Sequence, residues 1–127
     1  MTTYQGAGPS VLIVEDHALI ALDLEVMLQN CGALSTVVAY SAEGALTLLK
    51  RQRFDVAFLD LQLEDGDSLP VAKMLAELKV PFAFSTGYQT LNMVPDELQD
   101  RPVIFKPYNE RDVENVLKQL LSARGPR

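Results

Sequence analysis

The stretch Val56-Ala57-Phe58-Leu59-Asp60 decides the fold prediction for this chain of 127 residues. Four consecutive apolar residues end in a carboxylate, with no polar residue between them. A continuous apolar run of this length is typical of a strand that helices cover on both faces, whereas a strand with one wet face alternates apolar and polar residues. We therefore predict a central strand of a parallel sheet, with Asp60 at its carboxyl end.

The same pattern continues on both sides of that strand. Four more apolar runs, separated by amphipathic segments, are strand candidates: residues 11–14, 36–39, 82–84 and 103–105. Strands that alternate with helices predict a parallel α/β sheet, and 127 residues suffice for one such domain but not for two ordinary ones. We predict an α/β fold with a flavodoxin-like, doubly wound sheet of five parallel strands and helices on both faces.

Two predicted helices begin with capping signals. Ser41 precedes an amphipathic segment as an N-cap residue, and Asn109 with Asp112 resembles a capping box. The helix after Asp16 differs because it is apolar on more than one side. We favour its packing between the sheet and a neighbouring helix over an exposed docking surface, although both stay open.

The domain is predicted to span residues 10–122, with short flexible tails at 1–9 and 123–127. No linker to an output domain is visible, so the chain is expected to stand alone. The formal net charge of −6 and the absence of a Lys/Arg-rich run argue against nucleic acid as a partner. The sequence shows neither an apolar stretch long enough to cross a bilayer nor a signal peptide, so we expect no membrane partner and a cytoplasmic location.

Polar residues follow four of the predicted strands, at the point where each strand ends. Glu15 and Asp16 come after the first strand, Asp60 after the third, Thr86 after the fourth and Lys106 after the fifth. In an open α/β sheet, ligands bind in the crevice outside the carboxyl ends of the strands. We therefore expect three acids, a hydroxyl and an amine to meet there.

Three carboxylates in one crevice need a compensating positive charge. Two unit charges about 4 Å apart repel by roughly 4 kcal/mol at an effective dielectric constant near 20. Mg²⁺ is the natural counter-ion because it prefers oxygen ligands and is held by one or two carboxylates together with phosphate oxygens. With Mg²⁺ and Lys106 stabilising the transferring oxygens, Asp60 can act as a nucleophile toward a phosphoryl donor, and Thr86 can donate a hydrogen bond to the phosphate.

These residues resemble the response-regulator receiver family over residues 11–121. The pair Glu15-Asp16 matches the family's acidic pair, and Asp60 matches its phosphoacceptor. The segment Asp65-Gly66-Asp67-Ser68 matches the loop that leads into the third helix. The family fold implies the strand order 2-1-3-4-5.

The resemblance also implies the roles of individual residues. Asp60 is expected to be the phosphoacceptor and, with Asp16, a direct Mg²⁺ ligand, whereas Glu15 is expected to bind the ion through water. The remaining implied features are the main-chain carbonyl of Gln62 as a metal ligand, Thr86 and Lys106 as phosphate-binding and switch residues, and a cis peptide bond before Pro107.

Two departures from the family pattern concern the output signal. The segment Phe84-Ser85-Thr86-Gly87-Tyr88 resembles the FATGUY signature of a receiver subgroup, with Ser85 in place of alanine, and Val103 stands where many receivers carry a switch aromatic. We expect the output to run through Thr86 and the following loop, at Gly87, Tyr88 and Tyr108; simple packing of both tyrosines is the open alternative. Residues 89–96 are poor helix formers, which predicts a short or mobile helix.

The leading hypothesis is a stand-alone receiver in two-component signalling. It would accept a phosphoryl group from a histidine kinase or a histidine phosphotransfer protein, and act as a switch that binds an unknown downstream protein or as a phosphate sink. One alternative is a haloacid-dehalogenase-like phosphatase, which needs an acid where this chain has Gln62. Another is a phosphorylation-independent interaction module. Formation of a homodimer is left open.

Overall fold

The structure is a computed structural model that describes residues 8–64, 66–87 and 94–123. Strands and helices alternate along the chain in this order: β1 (Ser10–Val14), α1 (Ala18–Asn30), β2 (Ser35–Ala39), α2 (Ala42–Arg51), β3 (Val56–Asp60), β4 (Gln62–Leu63), β5 (Gly66–Asp67), α3 (Leu69–Glu77), β6 (Phe82–Thr86), β7 (Val103–Phe105) and α4 (Glu110–Ala123).

Five parallel strands form the main sheet in the order β2-β1-β3-β6-β7. Counted over these five strands alone, this is the predicted order 2-1-3-4-5, and the predicted fold class is confirmed. The chain steps outward from β1 to β2 and then returns to β3 on the other side of β1. Strand order therefore reverses between β1 and β3, and the crevice at their carboxyl ends is where such sheets bind ligands.

Each face of the sheet has its own apolar core, because every strand of a buried parallel sheet places alternate side chains on opposite faces. On one face, Leu12, Leu59 and Phe84 pack with residues of α2 and α3. On the other face, Ile13 and Phe58 pack with residues of α1 and α4. Helices thus cover both faces, and the core holds the strand ends that carry the polar residues.

Both predicted caps are present. The backbone N–H of Gly44 donates to Ser41 Oγ at 3.0 Å at the start of α2. At the start of α4, the N–H of Asp112 donates to Asn109 Oδ1 at 2.9 Å, and the N–H of Asn109 donates to Asp112 Oδ2 at 3.0 Å. This reciprocal pair satisfies two backbone donors that helix formation would otherwise leave unpaired.

Helix α1 combines the two alternatives that its sequence left open. Ala21, Leu24 and Leu28 are buried against the sheet and α4. On the outward side, Leu19 is 71% exposed and Leu22 is 52% exposed. The helix is therefore packed on one side and presents an apolar surface on another.

The hairpin of β4 and β5 was not predicted. Its two-residue strands pair Gln62 with Asp67 and Leu63 with Gly66, which is too short to produce a periodic pattern. Gly66 has φ of 134°, a conformation that residues with a Cβ atom rarely adopt.

Between β6 and β7, the only helical element in the described residues is the 3₁₀ turn Asp96–Leu98. Residues 88–93 lie outside the described part of the chain, and so do Tyr88 and most of the weak helix predicted over 89–96. Residues 1–7 and 124–127 of the predicted tails, and Asp65, also lie outside it. Within the described ranges, no helix is long and apolar enough to span a membrane.

Candidate functional site

Three carboxylates converge at the carboxyl ends of β1 and β3. Glu15 and Asp16 follow β1 directly, and Asp60 is the last residue of β3. One oxygen from each carboxylate lies within 4.8 Å of one from each of the others. Glu15 is 3% exposed and Asp60 is 7% exposed, whereas Asp16 is half-buried. Two buried acids and one half-buried acid therefore form a single group, of which Asp16 is the member most accessible to solvent.

Lys106 lies between the two buried acids. Its Nζ is 2.8 Å from Glu15 Oε1 and 3.1 Å from Asp60 Oδ2. The backbone positions it, since the N–H of Lys106 donates to the carbonyl of Thr86 at 2.9 Å. The bond to Pro107 is cis, as the family resemblance implied. The sequence predicted Lys106 as a positive charge beside the three carboxylates, but not its direct contact with Glu15.

The charges in this group shift each other's pKa values. Burial raises the pKa of Glu15 above its ordinary 4.5, and the nearby charge of Asp60 adds to the effect; together they outweigh the contribution of Lys106. Burial alone would lower the pKa of Lys106, but its contacts with Glu15 and Asp60 outweigh it, so the pKa lies above 10.5. The charged form of Lys106 is thus stabilised by its two contacts, whereas burial destabilises the charged form of Glu15.

Backbone amides fix the orientation of the three acids. The N–H of Gln62 donates to Asp60 Oδ1 at 3.0 Å, the N–H of Glu64 donates to Asp16 Oδ2 at 2.7 Å, and the N–H of His17 donates to Glu15 Oε2 at 3.1 Å. His17 itself is exposed and is the N-cap residue of α1. The Glu64 contact has no counterpart in the sequence pattern, because it depends on the unpredicted hairpin.

The donor set fits a hard divalent cation. Three carboxylates against one ammonium leave two negative charges in excess, and oxygen ligands of this kind are those that Mg²⁺ prefers. A dication would balance that excess. The residues present are thus suited to a magnesium ion.

Thr86 ends β6 and is 2% exposed. Its neighbour Ser85 pairs in register with Asp60 on β3, which brings the end of β6 beside the acidic group. The Thr86 hydroxyl donates to the carbonyl of Gly87 at 2.9 Å. The Thr86 hydroxyl therefore lies at the edge of the site and donates a hydrogen bond to the start of the following segment.

Two buried hydroxyls at the site were not recognised as a pair from the sequence. Ser85 Oγ and Tyr108 Oη are both buried, and neither forms a hydrogen bond of normal geometry within the described ranges. Burial and the charge of Glu15 raise the pKa of Tyr108 above its ordinary 10.0, although the Ser85 hydroxyl lies close enough to lower it. Tyr108 also packs against the core on the α1 and α4 side. The one sequence signal was the serine in place of the usual alanine. Val103, which stands where many receivers carry a switch aromatic, packs against the core on the α2 and α3 side of the sheet.

Comparison with known proteins gives consistent matches. The family model for the response regulator receiver domain matches residues 11–118. The sensory transduction protein LytT of Bacillus cereus is 31% identical over 112 residues, which cover 86% of this chain and 46% of LytT. The phyllosphere-induced regulator PhyR of Methylorubrum extorquens is 31% identical over 114 residues, 87% of this chain and 43% of PhyR. The chain thus spans about half the length of these curated relatives.

Among solved structures, the solution structure of SdrG from Sphingomonas melonis Fr1 superposes with a TM-score of 0.71 at 34% identity. The match covers 98% of each chain. In contrast to the LytT and PhyR matches, this match covers nearly the full length of both chains.

Proposed function

Because the chain belongs to the response regulator receiver domain family, we propose that it accepts a phosphoryl group on Asp60 in a Mg²⁺-dependent step of two-component signalling. A receiver domain of this kind is not a turnover enzyme. The observation that carries the proposal is the position of Asp60, which lies with Glu15 and Asp16 in one acidic group and 3.1 Å from the ammonium of Lys106.

In this mechanism a carboxylate oxygen of Asp60 attacks the phosphorus of the donor. The bond from phosphorus to the donor atom breaks, and the product is an acyl phosphate on Asp60. Asp16 and Asp60 would hold Mg²⁺ directly, with the main-chain carbonyl of Gln62, and Glu15 would bind it through water. The ion would neutralise charge on the transferring oxygens. The ammonium of Lys106, already aimed at Asp60, would pair with another of these oxygens.

The Gln62 amide supports this assignment of atoms. It donates to Asp60 Oδ1, while Lys106 contacts Oδ2. Both oxygens of the nucleophile are therefore oriented before a donor arrives, and the carboxylate needs little rearrangement to react.

The switch proposal rests on the hydrogen bond between Thr86 and Gly87. A phosphoryl group on Asp60 would offer the Thr86 hydroxyl a charged acceptor in place of the Gly87 carbonyl, and hydrogen bonds to charged acceptors are the stronger ones. Exchange of acceptors would release that carbonyl and reorder the segment that follows. Tyr88 and Tyr108 are the proposed output residues, and Tyr88 belongs to the segment outside the described residues.

We further propose that the chain acts as a stand-alone cytoplasmic receiver with the domain limits 10–122 and belongs to the FATGUY-type subgroup. The match to SdrG over 98% of both chains supports a single receiver. The phosphoryl donor would be a histidine kinase or a histidine phosphotransfer protein. The output would be an unknown downstream protein, or storage of the phosphoryl group as a sink.

The exposed side of α1 is the proposed contact for the phosphoryl donor protein. A donor must reach Asp60, so its surface has to cover the elements around the crevice. Leu19, Leu22 and Val26 are exposed on α1, and a cavity of about 370 Å³ lies between Met27 of this helix and Lys106. Ile20, Asp23 and Met27 of α1 line this cavity, so the helix that carries the exposed apolar residues also borders the site that the donor must enter.

The experiment is phosphorylation of the purified chain by acetyl phosphate, with and without Mg²⁺. We expect labelling that requires Mg²⁺ and disappears in Asp60→Asn. The matched control is Asp100→Asn, which removes a carboxylate that is 84% exposed and lies outside the acidic group, and it should label like the wild-type chain. Equal labelling of Asp60→Asn would remove Asp60 from its proposed role.

A further inference from the structure

A second cavity, of about 550 Å³, lies at the opposite end of the sheet from Asp60. The end of α2, the residues that lead into β3 and the residues that follow α3 line it. Four cationic residues contribute to its wall, and we refer to it as the basic cavity: Lys50, Arg51, Arg53 and Lys79.

The charge of the basic cavity opposes that of the chain. The sequence holds 11 Lys and Arg residues against 17 Asp and Glu residues, yet four cations and one acid, Asp55, line this cavity. That acid accepts hydrogen bonds from the N–H of Ser10 at 2.8 Å and from its hydroxyl at 3.3 Å. In the described ranges, none of the four cations lies within 4.0 Å of a carboxylate oxygen. Internal ion pairing therefore does not explain this local excess of positive charge.

Helix termini explain only two of the four cations of the basic cavity. Lys50 and Arg51 lie in the last turn of α2, where a cation is favoured by the helix dipole. Arg53 and Lys79 lie beyond the ends of α2 and α3. Their presence beside the first two is not required by either helix.

The backbone conformation at Lys79 also indicates that helix α3 does not require a lysine at this position. Its N–H donates to the carbonyl of Ala76 at 3.1 Å, and the N–H of Val80 donates to that of Leu75 at 2.9 Å, a Schellman arrangement that usually carries glycine at this position. Lys79 adopts φ of 61°, which costs a residue with a Cβ atom roughly 1–2 kcal/mol. A lysine thus occupies a position where glycine would be less strained.

The cavity wall favours one class of anion. The carbonyl ends of α2 and α3 face this region and carry partial negative charge, which disfavours a compact polyanion pressed against the backbone. The apolar part of the wall includes Phe54, which is 7% exposed, and Leu78, which is 50% exposed. The long cationic side chains instead suit carboxylates spaced around an apolar group.

We propose that the basic cavity binds an acidic peptide segment of a partner protein. An apolar side chain of the segment packs on Leu78, and flanking carboxylates pair with Arg53 and Lys79. The five residue steps from Asp55 to Asp60 span roughly 16 Å, so this contact and phosphorylation of Asp60 take place at opposite ends of the sheet. The peptide therefore binds without entering the phosphoryl-transfer site.

The test uses the full chain and a fluorescein-labelled peptide of glutamates with one central leucine. Binding is measured by anisotropy, and amide shifts in the NMR spectrum locate it. We expect shifts at residues 49–55 and 78–80, and an affinity that falls by roughly tenfold or more in Arg53→Glu/Lys79→Glu. The control Lys73→Glu/Lys118→Glu makes the same charge change on exposed residues outside the cavity and should retain the wild-type affinity.

Labelling by acetyl phosphate should be unchanged in both variants, which shows that they fold and separates this proposal from the role of Asp60. Equally tight binding of tripolyphosphate would overturn the peptide assignment, and so would equal binding of a peptide with serine in place of leucine. Amide shifts confined to other residues would remove the cavity from the contact. Self-association that the double variant abolishes would replace the partner protein by a second copy of this chain.

Discussion

Lys106 partly offsets the charge of Glu15 and Asp60 within the described structure. Its Nζ reaches both acids, at 2.8 and 3.1 Å, and one of them, Glu15, has its pKa raised by burial. Without the ammonium, two buried carboxylates would face each other, and no other cation of the described residues contacts them. The electrostatic stability of the Mg²⁺-free site therefore depends on this residue.

Replacement of this cation should destabilise the Mg²⁺-free protein. We expect Lys106→Met to lower the free energy of unfolding by about 3 kcal/mol, because it leaves buried charge uncompensated. The loss should be smaller with Mg²⁺ present, since the ion supplies positive charge at the same acids. Urea unfolding with and without Mg²⁺ measures both effects. The control Lys118→Met removes an exposed pair with Glu114 and should cost no more than about 0.5 kcal/mol.

The difference in unfolding free energy between wild type and Lys106→Met should also depend on pH, in a direction that the pKa of Lys106 determines. The folded-state pKa of Lys106 lies above the ordinary 10.5, so its contribution to stability is complete below that value and is lost as the pH rises through the folded-state pKa. The unfolding free energies of wild type and Lys106→Met should therefore converge at alkaline pH. A difference that grows with pH would contradict the ion-pair account.

Asp16 is the accessible member of the acidic group and, we propose, a direct metal ligand. Mg²⁺ at about 100 times its Kd should raise the free energy of unfolding by about 2.7 kcal/mol, because it binds only the folded chain. Asp16→Asn should lose most of this increase, whereas Asp100→Asn should keep it. Thermal unfolding at several Mg²⁺ concentrations gives the comparison. Full Mg²⁺ stabilisation of Asp16→Asn would exclude that residue as a ligand.

Among the elements, α4 is fixed at its start by reciprocal hydrogen bonds between Asn109 and Asp112. Asn109→Ala should lower the free energy of unfolding by about 1 kcal/mol, the usual effect of losing an N-cap side chain. Ser122→Ala, an exposed change near the other end of α4, should alter it by less than about 0.5 kcal/mol. Urea titration measures both. An unchanged stability of Asn109→Ala would show that the cap contributes nothing.

Helix α1 should affect phosphotransfer from a protein but not from a small molecule. Leu22→Glu places a charge on the proposed donor contact, so phosphorylation by a histidine kinase that labels the wild-type chain should slow by roughly tenfold. Labelling by acetyl phosphate should stay unchanged. The control Leu34→Glu alters a residue that is 60% exposed in the connection before β2. Equal slowing with both donors would indicate damage to the site and not loss of a contact.

The elements also show what a sequence can and cannot predict. Strands and capped helices were predictable because a continuous apolar run such as residues 56–59, or a reciprocal pair such as Asn109 and Asp112, leaves a local pattern. The hairpin of β4 and β5 leaves none, and with it the amide of Glu64 that orients Asp16 was missed. The outward side of α1 was ambiguous for a similar reason, since composition does not distinguish which of two apolar sides is covered.

Over the whole molecule, sheet topology explains why the site was predictable at all. Four strand ends that are far apart in sequence meet because parallel strands share one carboxyl edge. Distances within that edge were not predictable: the contact of Lys106 with Glu15, and the buried hydroxyls of Ser85 and Tyr108, depend on side-chain packing. The basic cavity at the other edge joins two stretches of the chain, residues 49–55 and 78–80. Three of its four cations stand together at residues 50–53, but their proximity to Lys79 and Leu78 depends on the fold.

The central claim is that Asp60 carries the phosphoryl group, and identification of the modified residue tests it most directly. The chain is phosphorylated with acetyl phosphate and Mg²⁺, reduced with borohydride, which converts an aspartyl phosphate to homoserine, and analysed by peptide mass spectrometry. We predict homoserine at position 60 and unmodified residues at positions 15 and 16. Homoserine at another aspartate, or a stable phosphate on His17 with position 60 unchanged, would contradict the account.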